Sequence, residues 1–72
     1  MQEAGSINIT VNGSARQTSH GQTLLGLLLE LQIEPSRVAI EVDRRVIKRA
    51  EWETLQLPPG ADIEIVQFVG GG

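Results

Sequence analysis

Residues 58–72 read PPGADIEIVQFVGGG, and this stretch carries the strongest structural signals in the chain. Its first three residues are typical of a tight turn, because proline presets its own φ angle and glycine supplies a positive one. Ile63 and Ile65 then alternate with polar residues, which predicts a strand with one buried face. Three glycines follow at 70–72, although glycine loses more conformational freedom on folding than any other residue. The stretch therefore predicts a turn, a strand and a bare tail.

Upstream of this stretch, apolar and polar residues alternate in short segments bounded by turn residues, which predicts further strands. The dipeptide Asn12-Gly13 is the strongest short-range signal for a hairpin and joins the first two of them. The second strand is mostly polar, so we expect it at an edge of the sheet. A turn at Asp43-Arg44-Arg45 joins the strand at 38–42 to the short strand that follows it. The predicted strands are SINITV (6–11), SARQTS (14–19), VAIEV (38–42) and a short return over Val46-Ile47.

A single helix is predicted between the two hairpins. Thr23 can cap its first turn through the side-chain hydroxyl, and leucines recur at helical spacing over 24–31. We expect Leu25 and Leu29 to widen this apolar stripe. Pro35 prevents any continuation of the helix. One main helix packed on one face of a mixed sheet of four to five strands is an α+β arrangement.

The outward face of the last strand is also apolar, since Val66 and Phe68 fall opposite the isoleucines. Two explanations remain open: the strand is buried on both faces, or these residues form an exposed patch. A single helix covers only one face of a sheet, which favours the patch. Exposed apolar patches on small proteins commonly mark a surface for a partner. We therefore expect Val66, Phe68 and Val69 to form a partner-binding surface.

Length and composition weigh against a self-sufficient enzyme. The 72 residues suffice for one domain, 1–72, with a loose leader at 1–5 and a flexible tail at 69–72. There are no cysteines, so the chain has no thiol for catalysis or sulfur transfer. His20 is the only histidine, and no serine lies in a glycine-flanked nucleophile turn. We expect neither a metal ion nor a bound cofactor.

The formal net charge of −3 argues against nucleic acid, whose backbone needs a basic surface. The first residues, MQEAGSINIT, lack the basic and apolar regions of a signal peptide. The longest apolar run, LLGLLLEL, is too short to span a bilayer. We expect a cytoplasmic protein that binds neither nucleic acid nor membrane. A local basic cluster is interpreted as a solvated turn, with a docking patch for an acidic partner as the alternative; it comprises Arg44, Arg45, Lys48 and Arg49.

The glycine tail suits a chemical role. Four extended residues reach about 13 Å at roughly 3.3 Å each, enough to carry a carboxylate into another protein's active site. Because glycines have no side chains, a narrow channel can admit Gly70, Gly71 and Gly72, and a nucleophile can approach the terminal carbonyl. The Gly72 carboxylate is ionised at neutral pH and can attack the α-phosphate of ATP. The product would be an acyl adenylate, which accepts sulfur or another nucleophile.

Several features resemble those of ubiquitin-like β-grasp proteins, most closely the ThiS family of sulfur carriers in thiamin biosynthesis. They are the order of elements and the segments TLLGLL (23–28), RAEW (49–52) and GADIEIVQFVGGG (60–72). The resemblance implies that an E1-like adenylyltransferase, ThiF, uses ATP to adenylate Gly72. Sulfur from a donor such as a cysteine desulfurase would convert the adenylate to a thiocarboxylate. Thiazole synthase, ThiG, would then take that sulfur to build the thiazole ring.

Other functions remain open at this point. The small subunit of molybdopterin synthase shares the fold, the diglycine and the thiocarboxylate chemistry, but delivers sulfur to a pterin. A carrier for another sulfur-containing product is also compatible with the chain. From a different class, a ubiquitin-like modifier would form isopeptide bonds with lysines. The turn at Asp43-Arg44-Arg45 departs from the family, in which an Asn-Gly turn is common at this point.

Overall fold

A five-stranded mixed sheet and one α-helix make up the part of the chain, residues 5–68, that the computed structural model describes. The α+β arrangement expected from the sequence is confirmed. Two short 3₁₀ turns, Pro35–Arg37 and Arg49–Glu51, lead into the later strands and loops. The elements are β1 (Ser6–Val11), β2 (Ser14–Ser19), α1 (Leu24–Glu30), β3 (Val38–Val42), β4 (Arg45–Val46) and β5 (Asp62–Gln67).

The last strand lies in the middle of the sheet, whose order is β2-β1-β5-β3-β4. β5 runs parallel to β1, with Val11 opposite Ile63, and antiparallel to β3, with Ile40 opposite Ile65. A parallel neighbour requires a long crossover connection, and here the helix forms part of it. The polar strand β2 pairs only with β1 among the described strands, so its predicted place at an edge is confirmed.

The core lies between the sheet and the helix. Leu24, Leu27 and Leu28 are fully buried on the helix side, and Ile63 is fully buried at the centre of the sheet. The sole tryptophan is also buried and donates its indole N–H to a backbone carbonyl. The buried hydrophobic residues are Ile7, Ile9, Leu24, Leu27, Leu28, Val38, Ile40, Val42, Trp52, Leu57, Ala61, Ile63 and Ile65.

The expectation that Leu29 widens the apolar stripe of the helix is wrong, since 64% of Leu29 is exposed. Each residue advances about 100° around a helix, so Leu29 lies roughly 140° round from Leu24. The helix has only seven residues and packs through a single narrow face. Leu25, at the margin of that face, is partly buried against the core.

The helix start and the tight turns follow local chemistry. Thr23 Oγ1 accepts a hydrogen bond from the Gly26 N–H at 3.1 Å, so the predicted N-cap is confirmed. The turn between β3 and β4 holds Asp43 at φ 51° and Arg44 at φ 71°, the left-handed region that favours glycine. The return strand β4 begins at Arg45, one residue earlier than expected.

The orientation of the helix can be tested with two adjacent leucines. Leu28→Ala should lower the free energy of unfolding by about 2–5 kcal/mol, because it removes a fully buried side chain and leaves a cavity. Leu29→Ala should change it by less than about 0.5 kcal/mol, because that side chain is exposed. Urea unfolding followed by tryptophan fluorescence measures both. Equal losses in the two variants would contradict this packing.

Candidate functional site

The last described residue, Phe68, continues the pairing of β5 with the start of β3. Its N–H donates to the Arg37 carbonyl oxygen at 2.8 Å, one step beyond the Val38↔Gln67 pair. The backbone of β5 is therefore held in the sheet up to the point where the predicted tail begins. The tail residues themselves lie outside the described residues, so their roles stay predictions: Val69, Gly70, Gly71 and Gly72.

A side-chain amide holds the outer half of β5 on its other edge. Backbone pairing between β1 and β5 ends at Val11↔Ile63. Beyond it, Asn12 Nδ2 donates to the Ile65 carbonyl at 3.2 Å, and the Ile65 N–H donates to Asn12 Oδ1 at 2.7 Å. The amide thus takes the place of a peptide group in the ladder. Asn12 has φ 49°, so its backbone turns away toward β2 while its side chain extends the sheet.

The face of the sheet that the helix leaves uncovered carries the residues of the predicted partner surface. Ala39 lies opposite Val66 on this face, and Val66 is 54% exposed. Phe68 is 55% exposed. The expected exposure of Val66 and Phe68 is confirmed, and burial of β5 on both faces is excluded. Their role in binding a partner stays a prediction.

Carboxylates occupy the other end of the same β3–β5 pair, which we call the carboxylate end: Glu41, Asp43, Asp62 and Glu64. Glu41 and Glu64 are direct cross-strand neighbours. Like charges in that position destabilise a sheet by a few tenths to about 1 kcal/mol. Within residues 5–68, the single ion pair lies elsewhere, between β2 and the helix, so no described cation pairs with these carboxylates.

The described residues hold no arrangement typical of catalysis. His20 is exposed in the turn after β2. Among residues 5–68, no group of three or more His, Cys, Asp or Glu side chains is placed to hold a metal ion. Two open depressions of about 260 and 270 Å³ lie around the β3–β4 turn, at the opposite end of β3 from Phe68. The chemistry that the sequence suggests for the tail concerns residues outside 5–68 and stays a prediction.

Comparison with known proteins assigns the family. The family model described as the ThiS family matches residues 9–72, which includes all of β5 and the glycines that follow it. The chain belongs to the ThiS family. The resemblance seen in the turn, strand and tail at 60–72 is thereby confirmed.

Relatives and a solved structure agree with this assignment. Thiazole synthases from Magnetococcus marinus and Paramagnetospirillum magneticum are 36% and 30% identical to this ThiS-family chain, each over 66 residues. The matches cover 92% of this chain but only 20% of either relative, so the chain spans about a fifth of their length. The crystal structure of the thiamine biosynthesis protein ThiS from Geobacter metallireducens matches with a TM-score of 0.80 and 26% identity, covering 92% of this chain and 100% of that one. The expected β-grasp fold is confirmed.

One positioning residue of this ThiS-family chain is not evident from its sequence. The pair Asn12-Gly13 predicts the β1–β2 hairpin, and that hairpin is present. The same asparagine also bonds to Ile65, 53 positions away, which no local pattern indicates. Within residues 5–68, the seven-residue helix is too short to cross a membrane.

The contribution of the Asn12 amide can be measured by comparing two substitutions. Asn12→Gly removes the amide but suits the positive φ angle, so it should lower the free energy of unfolding by about 1–3 kcal/mol through the unpaired Ile65 groups. Asn12→Ala should lose roughly 1 kcal/mol more, because alanine disfavours that backbone conformation. Chemical denaturation measures both. Unchanged stability in Asn12→Gly would show that the amide does not hold β5.

Proposed function

We propose that this chain is a sulfur carrier for the thiazole branch of thiamin biosynthesis. It would act as a protein co-substrate rather than as an enzyme. The observation that carries the proposal is the family match, which runs from β1 through Gly72 and so includes the glycine tail. One structural feature supports it: the domain anchors the last strand through backbone hydrogen bonds as far as Phe68.

In the first step, the carboxylate of Gly72 attacks the α-phosphorus of ATP bound by an E1-like adenylyltransferase of the ThiF type. The bond between the α- and β-phosphates breaks, pyrophosphate leaves, and an acyl adenylate forms on Gly72. This chain binds no cofactor of its own in the scheme; the ATP belongs to the partner's site. The bare glycines let the tail enter a narrow channel and leave the carbonyl carbon unhindered.

In the second step, a partner's persulfide attacks that carbonyl carbon and displaces AMP. A second thiol then cleaves the resulting acyl disulfide, which leaves a thiocarboxylate on Gly72 and a disulfide on the partner. Both sulfur nucleophiles must come from other proteins, because this chain has no cysteine. A cysteine desulfurase is the proposed origin of the persulfide sulfur.

The acceptor of the sulfur is proposed to be thiazole synthase, ThiG. Support comes from the two thiazole synthases that contain a segment similar to this chain over a fifth of their length. A carrier and an acceptor joined in one polypeptide meet at high effective concentration. In either arrangement the carrier domain contacts its acceptor through a surface, and Val66, Phe68 and Val69 are proposed to provide it.

The state of Gly72 tests the chemistry directly. A protein ending at Gly72, incubated with ThiF, ATP and a sulfur source, should exchange the mass of one oxygen for that of one sulfur, and fragmentation should place the change at Gly72. A variant lacking Gly71 and Gly72 should show no ATP-dependent adenylation while keeping its thermal stability. Adenylation of the truncated chain at the wild-type rate would refute the proposal. Attachment to lysines without any thiocarboxylate would favour a protein modifier.

The docking role of the exposed apolar residues has a matched control on the helix. Phe68→Asp should weaken binding to ThiF or ThiG at least tenfold, since central aromatic residues commonly dominate interfaces. Leu29→Asp removes an apolar side chain of similar exposure, 64% against 55%, from the opposite side of the domain. It should leave binding within about twofold. Titration calorimetry measures the affinity, and thermal unfolding confirms that both variants are folded. Similar effects of the two variants would contradict a specific surface at Phe68.

A further inference from the structure

Arg49 is held in a fixed position near the start of β3. Its Nη1 donates to the Pro35 carbonyl oxygen at 2.7 Å. Its guanidinium carbon also lies 4.8 Å from the centre of the Trp52 ring, within cation–π range. Trp52 is itself buried and bonded through its indole N–H to the Ile47 carbonyl. Arg49 is nevertheless an exposed residue, so a rigid guanidinium is presented to solvent with unused donors.

This guanidinium lies close to the root of the tail. Arg49 bonds to Pro35, and Arg37, two residues further on, accepts the hydrogen bond from Phe68. Carbonyls two residues apart are separated by about 7 Å at most. Arg37 is exposed and lies directly opposite Phe68 across the ladder. Arg37 and the Arg49 guanidinium therefore lie at the same end of β3 as Phe68.

Neither guanidinium has a carboxylate partner within residues 5–68, where the single ion pair joins Arg16 and Glu30. Both arginines lie near the start of β3, on a protein whose net charge is −3. The opposite end of the β3–β5 pair is the carboxylate end. The carboxylate end also carries Arg44 and Arg45, so its four carboxylates exceed its arginines by two. At the other end, Arg37 and Arg49 lie near one acidic residue, Glu34, whose carbonyl accepts a hydrogen bond from the Arg37 N–H. The net charge along the β3–β5 pair is therefore more positive at the end where the pairing reaches Phe68.

We propose that Arg37 and Arg49 bind carboxylates of the E1-like adenylyltransferase, ThiF, beside the entrance of the channel that receives the tail. This inference rests on the proposed function and names the chemistry of the partner's surface: an apolar patch for Phe68 with Asp or Glu side chains next to it. Arginine suits this task because its planar fork can bond a carboxylate through two parallel hydrogen bonds. Preorganisation on Trp52 and Pro35 lowers the entropy that Arg49 loses on binding.

The charge pattern also sets the direction of docking. A partner surface with carboxylates at the channel entrance attracts the Arg37 end and repels the carboxylate end. Reversed docking would therefore place like charges together, which costs affinity and suppresses the wrong orientation. Because the tail leaves from the positive end, only one orientation delivers it to the channel.

Two charge reversals at the ends of the same strand test the proposal. Arg37→Glu and Arg44→Glu change the net charge equally, and β3, about 17 Å long at roughly 3.4 Å per residue, separates the two positions. Binding to ThiF is measured by titration calorimetry at low and high salt, with thermal unfolding of each variant. Arg37→Glu should weaken binding about tenfold at low salt and reduce its dependence on salt. Arg44→Glu should stay within about twofold of the wild type.

A third variant, Arg49→Gln, removes the charge and, because glutamine is shorter, also the hydrogen bond to the Pro35 carbonyl. It should weaken binding severalfold with a small change in melting temperature. Equal effects of Arg37→Glu and Arg44→Glu would show that only net charge matters, and unchanged binding in Arg37→Glu would show that no carboxylate lies there; either result overturns the inference. If the wild-type chain binds neither ThiF nor ThiG, the proposed function fails, and this inference fails with it.

Discussion

The fold depends on one constraint, which is that its last strand must occupy the middle of the sheet. β5 is paired on one edge with β1 and on the other with β3, and its inward residues complete the core beneath the helix. The Asn12 amide and the Arg37 carbonyl extend this pairing on either side toward Phe68. A strand fixed on both edges gives whatever follows it a defined origin and direction. The folded domain therefore fixes the position of the backbone as far as Phe68.

Much of this architecture could be predicted from the sequence because local chemistry and tertiary structure agree. The alternation of apolar and polar residues predicted the strands. Asn12-Gly13 predicted the first hairpin, and Thr23 predicted the start of the helix. Leu29 was misjudged because the apolar face of the seven-residue helix is narrower than expected: Leu29 lies about 140° round from Leu24 and is exposed. The bond from Asn12 to Ile65 depends on which strands become neighbours, and no local pattern contains that information.

The candidate site also has features that the sequence predicts and features that only the structure shows. The exposure of Val66 and Phe68 follows from period-two alternation and the presence of a single covering helix. By contrast, Arg49 was grouped with Arg44 and Arg45 as one basic cluster on the basis of sequence proximity. The structure separates them, since Arg49 bonds to Pro35 before β3 whereas Arg44 lies in the turn after it. Basic residues that are close in sequence can thus lie at opposite ends of one strand.

The central position of β5 also has a consequence for synthesis on the ribosome. Until residues 62–67 have left the exit tunnel, β1–β2 and β3–β4 are two hairpins with no strand between them, and isolated hairpins are marginally stable at best. The sheet can close only when its latest-made strand inserts between them, through contacts distant in sequence that fold slowly. A chain that stalls before β5 has neither a closed sheet nor an uncovered face. If the proposed partner binding to that face occurs, it requires that β5 has been made and inserted.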